Sequence, residues 1–201
     1  MPSAVELSAY VALVAVGLLA ANLTLGMLMA AGFNPARHWP HRSIKLFRLH
    51  NWTGYIALTA ALIHPAILWF STSPPFRIID VIVPVWSPVQ PVSNVLGAIA
   101  LYLVIIVVAT SYFRRALGRH LWKTIHYATY AAATIFFVHG IIADPTVTGR
   151  AIDYIDGEKV YVEMCAAVFV IASARRIRHR RARRRAELVR VLAGSEDPAL
   201  P

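Results

Sequence analysis

Charged side chains are missing from four long stretches of this sequence, and their absence constrains the fold more than any other feature. No Asp, Glu, Lys or Arg occurs within residues 7–36, 49–76, 81–113 or 124–143. An apolar run of about 18 or more uncharged residues is typical of a transmembrane helix. The chain is therefore predicted to be an all-α integral membrane helix bundle of about five spans. Their predicted ranges are 7–32, 47–71, 93–113, 121–143 and 157–176. The last is interrupted by Glu163.

The net charge of +10 indicates how the bundle is oriented. Of the 20 Lys and Arg residues, 17 lie in three blocks, residues 37–48, 114–123 and 175–190, at the ends of apolar segments. This is the pattern of the positive-inside rule, and it argues against a nucleic-acid partner. With all three blocks in the cytoplasm, the N-terminus lies outside and the C-terminus inside. We expect a multi-pass protein of the cell (plasma) membrane, in contact with the lipid bilayer.

Residues 1–176 read as one membrane domain, followed by a basic cytoplasmic tail over residues 177–201. The segment Ser71–Ser93 contains five prolines and Trp86, so it is predicted to be an irregular interfacial cap over the outer mouth of the bundle. No Gly-x-Gly-x-x-Gly unit after a strand and no P-loop occurs. The single cysteine, Cys165, lies in an apolar run and reads as a small buried residue.

Four of the eight histidines lie inside apolar segments: His50 and His64 on the second predicted helix, His126 and His139 on the fourth. An ionisable group in a spanning segment is a functional candidate, because burying it costs free energy. Both helices run outward from a basic edge, so His50 and His126 share a depth near the cytoplasm. At ~1.5 Å per residue, His64 lies ~21 Å and His139 ~19.5 Å further out. Each pair is able to supply two axial ligands to a haem iron between helices.

Other interpretations of these histidines remain open. A single zinc or di-iron centre cannot use all four, because its ligands must lie within a few ångströms of one another. Histidines that only pack between helices, or that relay protons, are the alternatives. They would make the chain a non-redox transporter or an assembly subunit. One geometric difficulty also remains. At 100° per residue, the 13 residues from His126 to His139 fall about 140° short of four turns. Bending, local tightening or differently rotated haems would have to absorb the difference.

Two segments around these histidines resemble the ferric reductase-like transmembrane domain. They read Leu46-Phe-Arg-Leu-His50-Asn-Trp-Thr-Gly-Tyr55 with His64-Pro65, and Arg119-His-Leu-Trp122-Lys-Thr-Ile-His126-Tyr-Ala-Thr-Tyr130 with His139-Gly140. That superfamily includes ferric reductases, NADPH oxidases and the haem-binding membrane subunit of the bacterial periplasmic methionine sulfoxide reductase system. The resemblance covers residues 10 to 176, and the 14- and 13-residue histidine spacings look like those of the family.

The resemblance implies a b-type cytochrome with two haems b per chain. His50 and His126 would ligate the inner iron, and His64 and His139 the outer iron. The basic residues Arg48, Arg119 and Lys123 would pair with the inner haem propionates. An electron donor, a cytoplasmic flavoprotein, and an acceptor on the outer face are the implied partners. The acceptor would be a ferric iron chelate, oxygen or a periplasmic oxidoreductase. The chain would then be an oxidoreductase component.

The sequence also departs from parts of this superfamily. Reductases and oxidases usually continue into a flavin and NADPH domain, which is not expected here. NADPH oxidases carry a further histidine where this chain has Leu68, and an arginine on the first helix, which has none here. Superoxide production is therefore not expected. The methionine sulfoxide reductase subunit is similar in length, although about six helices would be expected for it.

Overall fold

The computed structural model describes residues 2–31, 45–143 and 154–194. Most of the first basic block, most of the second outer loop and the end of the tail lie outside these ranges. Within the described ranges the chain forms eight α-helices and no named strand. They are α1 Ala4–Ala30, α2 Leu46–Ile67, α3 Ile78–Ile82, α4 Pro91–Tyr112, α5 Arg114–Leu117, α6 Arg119–His126, α7 Ala128–Ile142 and α8 Gly157–Gly194. The all-α prediction is confirmed.

Four of the five predicted spans are long and apolar enough to cross a membrane: Ala4–Ala30, Leu46–Phe70, Pro91–Tyr112 and Arg119–Ile142. The segment predicted as a fifth span, 157–176, is the first half of α8, which continues for a further 18 residues to Gly194. Its charges keep it below the composition expected of a span. It nevertheless packs against α1 and α7. A membrane helix bundle is thus confirmed, and the orientation and the fifth span stay predictions.

The ends of these helices follow from local chemistry. Ser3 and Glu6 form a capping box at the start of α1, with the Glu6 carboxylate accepting from the Ser3 amide at 2.7 Å. Pro91 occupies the first turn of α4, where its missing N–H costs nothing. Pro65 lies in the last turn of α2, and the chain then tightens into a 3₁₀ turn over Leu68–Phe70.

The fourth predicted helix, 121–143, is confirmed as the span Arg119–Ile142 and contains one local interruption. Tyr127 separates α6 from α7. The Tyr127 amide donates to the carbonyls of both Lys123 and Thr124, and the Tyr130 amide donates to Tyr127 O at 3.1 Å, three residues back. The Thr129 hydroxyl donates a hydrogen bond to the His126 carbonyl. A turn closed by such bonds is tighter than an α-helix and gains about 20° of rotation per residue. It therefore supplies part of the rotation that the 13-residue spacing lacks.

Two antiparallel helix pairs make up the bundle. Helix α1 packs along α2, and α4 packs along α7, with α2 and α4 in contact between the pairs. The main apolar core lies where α1, α7 and α8 meet. It consists of Val16, Ala20, Met27, Ala133, Phe137, Val162 and Phe169. Because these core residues pack among α1, α7 and α8, they do not fill the space between α2 and α7.

Candidate functional site

The structure brings the four intramembrane histidines together as two pairs. The His64 and His139 rings face each other with their centroids 6.4 Å apart and their planes inclined by 56°. The His50 and His126 rings also lie 6.4 Å apart, at 76°. Each pair joins α2 to the fourth predicted span. This is the pairing by depth that the helix rise predicts.

The ring separation suits two imidazoles that bind one metal ion from opposite sides. A metal–nitrogen bond of about 2.0 Å, with each centroid roughly 1.1 Å behind its nitrogen, separates two axial rings by roughly 6.2 Å. Both pairs are within a few tenths of an ångström of that value. Among the residues described, no group of three or more His, Cys, Asp and Glu side chains is placed to hold a metal ion. Two imidazoles per site are what this chain offers.

In the outer pair, both Nδ1 atoms are held by the preceding helix. His64 Nδ1 lies 2.9 Å from the Ser8 carbonyl and 2.9 Å from its hydroxyl. His139 Nδ1 lies 2.8 Å from the Ser93 carbonyl and 3.2 Å from the Ser93 hydroxyl. A carbonyl accepts a hydrogen bond from a protonated Nδ1, so each ring takes the tautomer with an unprotonated Nε2. A histidine that binds a metal usually has its second nitrogen anchored in this way.

The inner pair is held less uniformly. His50 Nδ1 lies 3.1 Å from the Asn22 carbonyl, and the Asn22 amide in turn donates to the carbonyl of His50. His126 Nδ1 has only the Ser111 hydroxyl, at 3.3 Å. The Trp122 indole donates to the same hydroxyl and stacks on the His126 ring at 5.2 Å. His126 is thus oriented by a side chain and an aromatic face and has no backbone carbonyl.

Glycines on the partner helices leave room for two of the rings. A Cβ on Gly97 of α4 would lie 2.8 Å from Cε1 of His139, closer than real Cβ contacts come. One on Gly26 of α1 would lie 3.2 Å from Cε1 of His50. His139 is therefore set in a space that a larger residue at position 97 would invade, and His50 packs tightly against Gly26.

Each pair lies in its own cavity. The outer cavity, which contains His64 and His139, has a volume of about 710 Å³, within the range of about 300–1,000 Å³ of cofactor and ligand pockets. The inner cavity, which contains His50 and His126, is smaller, at about 170 Å³. Both names follow the predicted topology. The volume of the outer cavity is thus in the range of cofactor pockets, and the volume of the inner cavity is below it.

The Ser71–Ser93 segment covers the outer cavity, as its position predicts. It carries the short helix α3, and its residues Phe76, Asp80, Val81 and Pro84 line the cavity wall. Asp80 is buried, and the Arg77 guanidinium holds its carboxyl in a bidentate ion pair at 2.9 and 3.0 Å. Trp86 is 69 % exposed, as expected of an interfacial anchor. The cap thus contains a local ion pair at the start of α3 and exposes apolar side chains such as Trp86.

The basic residues singled out from the sequence do not line either cavity. Arg48, Arg119 and Lys123 are exposed on the side of the inner pair. The cations that do line the cavities both lie on α8: Lys159 in the outer one and Arg176 in the inner one. In sequence, Lys159 reads as a loop charge, and Arg176 is one of nine basic residues in its block. Four residues that contact the histidine rings were also not predicted from the sequence: Ser8, Asn22, Ser93 and Ser111. They lie on neighbouring helices, far from the histidines in sequence, so no local sequence pattern marks them.

Comparison with known proteins adds one finding. Residues 11–137 match the family model described as "Ferric reductase like transmembrane component". No curated protein and no solved structure matches the chain. The matched residues contain the first three of the four intramembrane histidines, and His139 lies two residues beyond the match.

Proposed function

This chain belongs to the ferric reductase-like transmembrane family, a family of haem-binding membrane electron-transfer components, and from that premise we propose that it carries electrons across the bilayer through two haems b. Histidines 50 and 126 would hold the inner haem, and 64 and 139 the outer one. The observation that supports this most directly is the arrangement of the four histidines. They form two pairs, each with its ring centroids 6.4 Å apart and each in its own cavity.

Each part of the chain has a defined task in this function. Bound haem iron supplies the one-electron chemistry. The four imidazoles would hold the irons at two depths. The carbonyls of Asn22, Ser8 and Ser93 accept hydrogen bonds from Nδ1 and so keep the Nε2 of His50, His64 and His139 free for ligation. The apolar helices exclude water around the cofactors. The capped outer cavity leaves the outer haem near the side where an acceptor docks.

The donor we propose is a flavoprotein on the cytoplasmic side, and the acceptor lies on the outer side. Neither a P-loop nor a Gly-x-Gly-x-x-Gly unit occurs in these 201 residues, and Arg115, Arg119 and Lys123 are exposed beside the inner pair. Exposed cations of one sign attract an acidic partner and accelerate its encounter. A ferric iron chelate, oxygen or a periplasmic oxidoreductase would accept the electron.

Haem stoichiometry and selective ligand removal test this function. A pyridine haemochrome assay on purified protein should give a ratio near two haems b per chain. His64→Ala and His139→Ala should each remove the same spectral component, and His50→Ala and His126→Ala the other. A ratio near zero in protein produced with adequate haem would refute the proposal. So would the loss of one and the same component in His50→Ala and His64→Ala, with the other component retained.

A further inference from the structure

Helix α8 brings one cation to each histidine cavity. Lys159, at its outer end, lines the outer cavity with His64 and His139, and Arg176 lines the inner cavity with His50 and His126. The two cations are 17 residues apart, about 25 Å along a helix. The two histidine levels are separated by ~20 Å on α2 and the fourth span. One straight helix therefore reaches both levels.

Lys159 is a buried cation without a compensating carboxylate in the described part of the chain. It is 4 % exposed, and its ammonium donates to the carbonyl of Ala143. Glu158 lines the same cavity but forms no ion pair with it, and the one ion pair within the described ranges joins Arg77 to Asp80. An uncompensated buried ammonium is costly unless an anion joins it. The outer cavity is thus set up to receive a negative charge at its Lys159 end.

Arg176 lines the inner cavity with a guanidinium that has more N–H donors than its contact with Tyr130 uses. One of its nitrogens donates to the Tyr130 hydroxyl, and its Cζ lies 5.7 Å from the centre of the Tyr130 ring. A guanidinium has five N–H donors in a planar fork that matches a carboxylate. Tyr130 holds the fork in place from one side. The remaining donors are free to bind a carboxylate in the cavity.

We propose that α8 anchors both haems by their propionate carboxylates, through Lys159 in the outer cavity and Arg176 in the inner one. This rests on the two-haem function proposed above. It replaces Arg48, Arg119 and Lys123 as the propionate partners of the inner haem, since those three side chains are exposed outside the cavity lining. The helix that carries half of the Lys and Arg residues of the chain thereby becomes part of the cofactor site.

Neutral and charge-retaining variants at both positions test the proposal. Lys159→Met should shift the midpoint potential of the outer haem downward, because loss of a nearby positive charge favours the ferric state. A tenfold change in the ferrous-to-ferric equilibrium, 59 mV for one electron, is the expected size. Arg176→Met should shift the inner haem alone. Lys159→Arg and Arg176→Lys should recover most of each shift. Arg181→Met, at an exposed position further along α8, is the matched control and should shift neither.

Apoprotein reconstituted with haem b dimethyl ester separates a propionate contact from a charge acting at a distance. With the esterified haem, Lys159→Met and Arg176→Met should cause clearly smaller shifts than with free-acid haem, because the ester has no charge to hold either cation beside the haem. In the wild-type chain the esterified haem should dissociate about tenfold faster than free-acid haem. This comparison of dissociation rates needs no variant, so it tests the proposal even if a variant fails to accumulate. Two results would overturn the proposal. One is an equal shift of the midpoint potential with free-acid and with esterified haem. The other is a midpoint potential in Lys159→Met and Arg176→Met that equals that of Arg181→Met while two haems stay bound. A wild-type chain that binds no haem would instead defeat the function on which the proposal rests.

Discussion

At the scale of single residues, the orienting groups behind the four histidines are unequal. In the outer pair each Nδ1 has a backbone carbonyl within 2.9 Å, which no side-chain substitution removes. Asn22 provides its carbonyl to His50 at 3.1 Å. For His126 the partner of Nδ1 is the Ser111 hydroxyl, and a hydroxyl is lost on mutation to alanine. The inner site therefore depends on a side chain where the outer site depends on the backbone.

Ser111→Ala should consequently weaken the inner haem more than Ser93→Ala weakens the outer one. Loss of such a supporting contact typically costs 10- to 100-fold in metal affinity. Transfer of haem to apomyoglobin measures this, and the inner component should leave at least ten times faster in Ser111→Ala. In Ser93→Ala the carbonyl remains, so the outer component should leave at a rate close to wild type. Equal acceleration in the two variants would show that the hydroxyls, and not the carbonyls, orient the rings.

Gly97 is the glycine most tightly set against a histidine. Gly97→Ala would place a methyl group 2.8 Å from Cε1 of His139, so the ring has to move. We expect the outer haem to be lost or its spectrum altered, with the inner haem unchanged. Gly26→Ala should perturb the inner haem less, since its Cβ would lie 3.2 Å from His50. Gly157→Ala is the control, because a Cβ there meets nothing within 4 Å. An unchanged outer haem in Gly97→Ala would show that His139 does not need this space.

At the scale of helices, the two antiparallel pairs repeat one arrangement. The first helix of each pair supplies the orienting groups, and the second carries two histidines: Ser8 and Asn22 of α1 serve α2, and Ser93 and Ser111 of α4 serve the α6–α7 span. The pairs differ in regularity, because only the second is interrupted, at Tyr127. That interruption supplies part of the rotation that the shorter histidine spacing lacks. Each helix pair thus contributes one histidine to each level, although the two pairs differ in helix regularity.

Within the described residues the cap carries one ion pair, between Arg77 and the buried Asp80. Hydrogen bonds from Arg77, together with its charge, hold the pKa of Asp80 below its usual value. A carboxyl with a depressed pKa stabilises the fold above its unfolded pKa of about 3.9, and this contribution is lost as the pH falls through the lower folded pKa. Between pH 5 and 8 the cap should therefore be unaffected by pH.

Asp80→Asn should open the cap at neutral pH, as strong acid does in the wild-type chain. It removes the charge that Arg77 binds and leaves its guanidinium, already 72 % exposed, without its partner. Trypsin cleavage after Arg77 should become at least several-fold faster in Asp80→Asn, with cleavage after Arg190 as the internal reference. If the two proteins are cleaved after Arg77 at equal rates, the ion pair does not hold the cap closed.

At the scale of the whole molecule, the exposed basic residues and the two histidine pairs are arranged along one axis. Exposed Arg115, Arg119 and Lys123 lie on the side of the inner pair, and the basic half of α8 extends beyond Arg175. The outer pair lies beneath a cap whose two charges cancel each other. Electrons entering from an acidic donor would meet the cationic side first.

Reduction of the haems by an acidic flavoprotein should therefore depend on salt. The rate should fall steeply as ionic strength passes about 0.1 M, where charges are screened beyond ~10 Å. Arg115→Glu with Arg119→Glu should slow reduction about tenfold or more at low salt without altering the haem spectrum. Arg190→Glu, near the far end of α8, should have a much smaller effect. A rate indifferent to salt and to the double reversal would exclude this docking face.

The sequence by itself determined the membrane helices and the levels of the histidines. Charge-free stretches can be recognised without tertiary information, because lipid admits no charge along a whole span. Helix rise is nearly constant, so 14 and 13 residues place His64 and His139 one level beyond His50 and His126 whatever the packing. The family resemblance followed from these same residues and is confirmed by the match over residues 11–137.

Only the tertiary structure decided which groups surround those histidines. Whether Ser8 meets His64, or Lys159 enters the outer cavity, depends on how the helices rotate and pack, and hydrophobic periodicity hardly constrains rotation in helices apolar on every side. The exposed Arg48, Arg119 and Lys123 could not be told apart from Arg176 by position in the sequence, since all four are basic residues at the ends of spans. The turn at Tyr127 is equally hidden, because it depends on the contacts His126 and His139 make with other helices. Rise along a helix is a local property, whereas rotation about its axis is set by its neighbours.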